Sequence, residues 1–291
     1  MADSLSLGAS ARLPQRTWQR DLIKHMRRYP SLWLGSGILL IFALLIAFAP
    51  VIARHPPNQQ NLAMRLKPPS AEHPFGTDEL GRDIFSRVLH GGQISLPAAL
   101  IVVAISSSVG GLLGAFAGFF GGLIDDLIMR VADVTLAFPA VVLALAISAL
   151  LGPSLNNAIL AACAVLWPEY ARLIRSQVIV ARTFEYVTAA RAIGRREVGI
   201  LLRHVLPNTW TPILIKAALD VGSIILLISA LSFIGLGVRP PTAEWGSMVA
   251  LGRMKFYQWW VATFPGLAIL ISIMACNLIS EGLRNWLDPR A

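Results

Sequence analysis

The chain has 291 residues, of which 55% are hydrophobic and 14% charged, with a formal net charge of +9. A soluble globular chain carries about 25% charge, so polar residues are too few here to cover a water-facing surface. The apolar residues gather into long runs, which marks a membrane protein and turns the positive balance into loop bias rather than nucleic-acid binding.

A helix needs about 20 apolar residues to cross a bilayer core. Six segments qualify, at 32–52, 95–120, 128–151, 155–172, 209–235 and 260–282. The expected fold is therefore an all-α integral membrane protein with six transmembrane helices. Ala47-Phe48-Ala49 resembles a signal cleavage site, but a long polar stretch precedes the first span and its apolar run exceeds a signal peptide's, so 32–52 is read as an uncleaved anchor. Residues 1–31 then form an N-terminal tail, 53–94 an external loop, 95–282 the transmembrane core and 283–291 a C-terminal tail. The side holding both tails, the 121–130 turn and the 172–208 loop carries 16 Lys and Arg; the side holding 53–94 and 236–259 carries 8. The positive-inside bias places both termini in the cytoplasm.

In the first external loop, Gly76-Thr77-Asp78 and Gly81-Arg82-Asp83 read as a turn leading into a capped helix. Asp78, Arg82 and Asp83 are alternatively receptor-facing. The next span carries Gly110, Gly114 and Gly118, with Gly122 just past its end. This four-residue ladder lets a second helix approach closely, within the chain or between subunits. The two cysteines, Cys163 and Cys276, sit in separate apolar runs and read as packing residues. Asp133 and Glu169 lie near span ends, as snorkelling or capping residues.

Between Arg172 and Arg203 there are seven arginines and no lysine. Gly194 divides this loop into two short helices. Val198, Leu201, Leu202 and Val205 fall at i, i+3, i+4 and i+7 and form one apolar stripe, while Pro207 is expected to stop the second helix. Such a pair is a rigid lever, an elbow lying on lipid headgroups, or a helix that docks in a partner's groove. Lys216 and Asp220 share a helix face inside the fifth span, as a structural pair or as part of a polar passage. In the second external loop, Glu244 and Trp245 follow a proline pair and are either receptor-facing or an interfacial elbow. No GxxxxGK[ST] phosphate loop, HExxH motif or nucleophile–base set occurs.

Thr188-Ala-Ala-Arg-Ala-Ile-Gly194, nine residues, then His204-Val-Leu-Pro207 resembles the EAA loop of ABC importer permeases. Ala189, Ala190, Gly194, Leu206 and Pro207 match at the family's spacing. Thr188 stands where the family often has Glu, and His204 where it often has Ile. Residues 75–96, 118–139, 231–248 and 264–289 also resemble the dipeptide, oligopeptide and nickel permease family, in its C-type subunit. The resemblance implies a type I importer permease fold and a coupling loop at about 173–208 that docks on ATP-binding subunits. It further implies a second homologous permease as heterodimer partner, two ATP-binding subunits and a periplasmic or lipid-anchored binding protein, in a bacterial inner membrane. ATP and Mg would be used by those partners, with no cofactor or metal bound by this chain. The implied cargo is di- or oligopeptides, with nickel or a metal chelate as the alternative. An ion-coupled secondary transporter is the rival of another class.

Overall fold

The computed structural model describes residues 28–253, 255 and 257–287. Residues 1–27 of the expected N-terminal tail and 288–291 of the C-terminal tail lie outside the described residues, and the first apolar helix begins at Pro30. The regular elements among the described residues are helices, with no strand. The helices are α1 (Pro30–Ala47), α2 (Ala49–Ile52), α3 (Ile84–Phe120), α4 (Gly122–Leu136), α5 (Ala140–Leu151), α6 (Leu155–Ala181), α7 (Glu185–Ala192), α8 (Glu197–Ile200), α9 (Trp210–Ile234), α10 (Trp245–Gly252) and α11 (Trp260–Leu287). Among the described residues, α1, α3, the stretch Glu197–Ile234 and α11 are each long and apolar enough to cross a membrane. The bent pair α4 and α5 makes a fifth if it counts as one span.

Three expectations are corrected. The span placed at 128–151 is two helices meeting at 91°. Pro139 causes the break: it lacks an N–H and excludes the residue before it from helical geometry, so α4 closes at Leu136 and α5 starts after Pro139. The segment 155–172 does not end near Pro168, since α6 runs through that buried proline to Ala181. Its charged second half, with Glu169, Arg172 and Arg175, keeps it out of the group of apolar spans. The first loop is shorter than 53–94, because Asp83 starts α3 by accepting from the Ser86 amide at 2.8 Å.

The glycine ladder sets how closely α3 approaches α6. A Cβ on Gly110 would strike the Trp167 carbonyl, one on Gly114 the Ala171 carbonyl, and one on Gly118 the backbone of Arg175. Glycine leaves room for backbone against backbone, and packing takes the place of a hydrophobic driving force in lipid. The ladder is thus packing within the chain. Gly122 takes no part; its site is open and its φ is +58°. Along this seam lie the buried side chains of Val102, Tyr170, Ile174 and Val178, part of one core that extends to α9 and α11.

A smaller device joins α1 to α3. Pro50 has no N–H to give the Ile46 carbonyl one turn back, and the Gln93 side-chain amide donates to it instead at 2.9 Å. On the outside, Leu40 and Ile41 of α1, Leu100 and Ile101 of α3 and Leu226 of α9 are exposed, as lipid or a neighbouring subunit would require.

Gly114→Leu is expected to destabilise the folded chain in detergent by about 3 kcal/mol or more, because rigid backbone blocks the added side chain. Gly37→Ala, in a helix position with open space around it, should be neutral or slightly stabilising. Thermal unfolding followed by tryptophan fluorescence measures both.

Candidate functional site

The loop after α6 is fixed at its base by charge. Arg175 makes two bonds to Asp125, of 2.5 and 2.7 Å, and Arg172 reaches Asp133 at 2.5 Å. Arg182 donates to the carbonyls of Gly118 and Phe119, at 2.9 and 3.2 Å, closing the last turn of α3. These contacts place the loop at the far end of α3 from the 53–83 segment. Asp133 therefore serves as a cross-helix partner rather than a snorkelling or capping residue.

Helix α7 carries Glu185 in its first turn and Arg191 in its last, the order the helix dipole favours. The chain then reverses at Gly194, whose φ is +75°. A Cβ there would touch nothing within 4 Å, so glycine is required by the backbone angle and not by crowding. Arg191 bridges the turn to Glu197 with bonds of 2.9 to 3.3 Å. Both side chains are exposed, so this pair contributes at most about 1 kcal/mol. After α8 the chain passes through a π turn (Leu201–Val205) and a 3-10 turn (Leu206–Thr209) straight into α9. Pro207 changes the helix type and does not stop the helix.

The apolar stripe expected on the second helix is divided. Leu201 and Val205 are fully buried, with Ile200, and pack into the core together with Val187 and Ala190. Leu202 is 44% exposed, Val198 47% and Ile193 75%. The π turn is the reason: its i→i+5 bonding winds more residues into each turn, so the 3.6-residue count no longer keeps 198, 202 and 205 on one face. Leu206 is partly buried, while Ala189 and Pro207 are exposed. The loop therefore has an inner face that locks it to the bundle and an outer face offering Ala189, Ile193, Val198 and Leu202. Arg195, Arg196 and Arg203 are exposed around it.

Within the bundle, Lys216 and Asp220 pair at 3.1 Å along α9, and Lys216 also reaches Glu169 of α6 at 2.6 Å. The ammonium lies 5.3 Å from the ring centroid of buried Tyr170. Glu169 is thus the third member of a cross-helix triad and not a capping residue. Sequence distance hid it, although an acid in one half-polar span and a lysine in another was a usable signal.

At the other end of α3, residues 76–83 form the expected turn leading into a capped helix, and the five residues alternatively considered receptor-facing are buried. Asp78, Arg82 and Asp83 are each 3% exposed, and Glu244 and Trp245 are 0% exposed. Asp78 accepts from Arg82 Nε at 2.6 Å and from the Leu80 and Arg82 amides. Asp83 caps α3 and binds His73 Nδ1 at 2.9 Å. Glu244 accepts from the Gly246 and Ser247 amides, both at 2.8 Å, at the start of α10. Burial pushes its carboxyl above the usual carboxylate range, against the pull of those amides. Trp245 donates to the Val88 carbonyl at 2.9 Å. These side chains organise the loops from within, because unpaired charges could not be held there.

Long apolar helices packed through glycines, with an ordered basic loop at one end, define a multi-pass membrane protein. Residues 110–291 match the family described as binding-protein-dependent transport system inner membrane component, and residues 17–69 match the N-terminal TM domain of oligopeptide transport permease C. The chain is 45% identical to the probable D,D-dipeptide transport system permease protein DdpC of Escherichia coli, over 99% of this chain and 98% of that one. It is 45% identical to the di/tripeptide transport system permease protein DppC of Pseudomonas aeruginosa, over 86% of each. It is 41% identical to the dipeptide transport system permease protein DppC of Alkalihalophilus pseudofirmus, over 93% and 90%. The chain belongs to the family of inner-membrane permease components of binding-protein-dependent transport systems.

Lys216→Met is expected to destabilise the protein by about 1–3 kcal/mol, since it leaves two carboxylates without their cation; the exposure of Glu169 moderates the loss. The triple change Glu169→Gln, Lys216→Met, Asp220→Leu should recover most of it. Unfolding in detergent compares the two. Separately, Glu244→Ala should cost about 2 kcal/mol by stranding two buried amides, and Glu244→Gln less, because it keeps one acceptor.

Proposed function

We propose that this chain is a transmembrane subunit of an ATP-driven importer that forms, with a second related permease, the pathway for di- and oligopeptides. The observation that carries the cargo is the identity of 41–45% to permeases named for dipeptide, D,D-dipeptide and di/tripeptide transport, over most of the chain. Both termini and the 182–209 loop face the cytoplasm in this scheme, and all six helical segments traverse or line the membrane. Two ATP-binding subunits dock on the loops of the two permeases, and a binding protein delivers cargo at the opposite end.

The outer face of the loop is the proposed contact, through Ala189, Ile193, Val198 and Leu202. Leu201, Leu206, Val187 and Ala190 act from behind it, holding that face in place, and exposed Pro207 sets the change of helix type that leads into α9. ATP can reorient the helices only as far as it binds one arrangement of the assembly better than another. A loop that shares its core with α3 and α6 transmits such a preference, and a loop free to swing would absorb it. ATP and Mg are handled by the partners. The Lys216 triad is a structural clamp between α6 and α9 in this proposal. Transport by the triple variant tests that role: uptake near the normal level fits a clamp, and loss of uptake despite recovered stability would make it part of the passage.

The proposal as a whole is tested by co-expressing the chain with its candidate partners, reconstituting the complex in liposomes and measuring ATP-dependent uptake of labelled dipeptides. Uptake that needs this chain supports it; an intact, ATP-hydrolysing complex that moves no peptide would overturn the cargo. Gly194→Pro should abolish uptake while leaving membrane insertion intact, because proline fixes φ near −65° where the turn needs a positive angle. Leu202→Glu should release the ATP-binding subunits from an otherwise folded chain. Leu201→Glu should instead lower the amount of folded chain, since it buries a charge.

A further inference from the structure

His55, Glu72 and His73 lie together in the 53–83 segment, with one ligand atom from each within 4.8 Å of the others. They border a cavity of about 200 Å³ that is also lined by Gln59, Asn61 and Asp83. We propose that these three residues form a binding site for a late first-row divalent transition ion, such as Zn²⁺, which staples the segment after α2 to the start of α3.

Four features carry this. His73 is buried, and its Nδ1 lies 2.9 Å from Asp83 Oδ1. The other oxygen of Asp83 is taken by the Ser86 amide and hydroxyl, at 2.8 and 2.6 Å. Oδ1 is thus left to accept from Nδ1–H, which puts the imidazole lone pair on Nε2. This is the carboxylate–histidine arrangement that orients a metal-binding imidazole and raises its basicity. Second, the scaffold is built. The His73 carbonyl accepts from the Ser70 and Gly76 amides, and the His73 amide donates to Ser70 Oγ. Third, Arg54 donates to the Ala71 carbonyl at 2.7 Å, so the residue before His55 is tied to the residue before Glu72. Fourth, the His55 and His73 rings have centroids 4.7 Å apart.

Two imidazoles and one carboxylate suit Zn²⁺, Ni²⁺, Co²⁺ or Cu²⁺ better than Mg²⁺ or Ca²⁺, which prefer all-oxygen shells. Metal bonds of about 2.1 Å in a tetrahedron place ligand atoms about 3.4 Å apart. Reaching that spacing from separations of up to 4.8 Å needs movements of up to about 1.4 Å, and His55 and Glu72 both reach solvent and can adjust. The cavity leaves room for water at the fourth position. The bound ion would connect His55 through His73 and Asp83 to the first turn of α3, the helix that runs the length of the bundle.

The test uses the full chain, purified through a tag without histidine, stripped with a chelator and placed in nanodiscs. Titration with Zn²⁺ should show one ion per chain at micromolar or tighter affinity, and Co²⁺ should give a visible absorption band of low-symmetry coordination. His55→Ala and Glu72→Gln, both at sites that reach solvent, should each weaken binding by about tenfold or more with unchanged circular dichroism. His204→Ala, at the other end of α3, should leave it unchanged. Absence of stoichiometric binding by the unaltered chain, or titrations of the His55 and Glu72 variants that superimpose on it, would overturn the proposal. The site does not depend on what the chain transports.

Discussion

The approach of α3 to α6, backbone against backbone at Gly110, Gly114 and Gly118, is the constraint on which the rest depends. It brings the carbonyls at the end of α3 within reach of Arg182, and Asp125 of α4 within reach of Arg175. With those contacts made, the chain leaving α6 has little choice of path. Val187, Ala190, Ile200, Leu201 and Val205 then close against the bundle and enter the same core as the α3–α6 seam. A methyl group added at any of the three glycines would act on the loop from a distance, by moving its foundation.

The two ends of α3 use charge differently. Next to the 53–83 segment, Asp78, Arg82, Asp83 and Glu244 are withdrawn from solvent and consumed by local hydrogen bonds, so that end is held rigid from inside. At the 182–209 end the arginines at the base are paired, while Arg195, Arg196 and Arg203 stay exposed around an apolar outer face. That apolar face with its cationic rim is the surface through which the proposed docking on ATP-binding subunits would act. Between the ends, the Lys216 triad joins α6 to α9 and ties the helix entering the loop to the helix leaving it.

Much of this was legible in the sequence. Long apolar runs located the helices, the GxxxG spacing anticipated the seam, and the EAA-like spacing located the loop and its glycine turn. The rest was hidden for identifiable reasons. Hydrophobicity masked Pro139, so the broken pair α4 and α5 read as one span. Periodicity assumed 3.6 residues per turn, and the π turn at 201–205 divided a stripe that looked continuous. The turn and cap at 76–83 were legible, but a carboxylate in the second loop suggested a wet surface, and Glu244 is buried because backbone amides satisfy it. Glu169 is 47 residues from Lys216, and His55 is remote from His73, so no local pattern joins either set.

The central claim is that the loop is a fixed platform with one face turned outward, and crosslinking tests it most directly. After Cys163 and Cys276 are replaced by alanine, single cysteines would be introduced at 193, 198, 201, 202 and 205 in the assembled complex. A short crosslinker with a thiol-reactive group at one end and a photoactivated group at the other would then be attached and illuminated, followed by identification of crosslinked ATP-binding subunit. Crosslinks from 193, 198 and 202, with none from 201 or 205, are the expected pattern. Equal crosslinking from all five, or crosslinking from 201 and 205 alone, would contradict it and show a loop that is mobile or turned the other way.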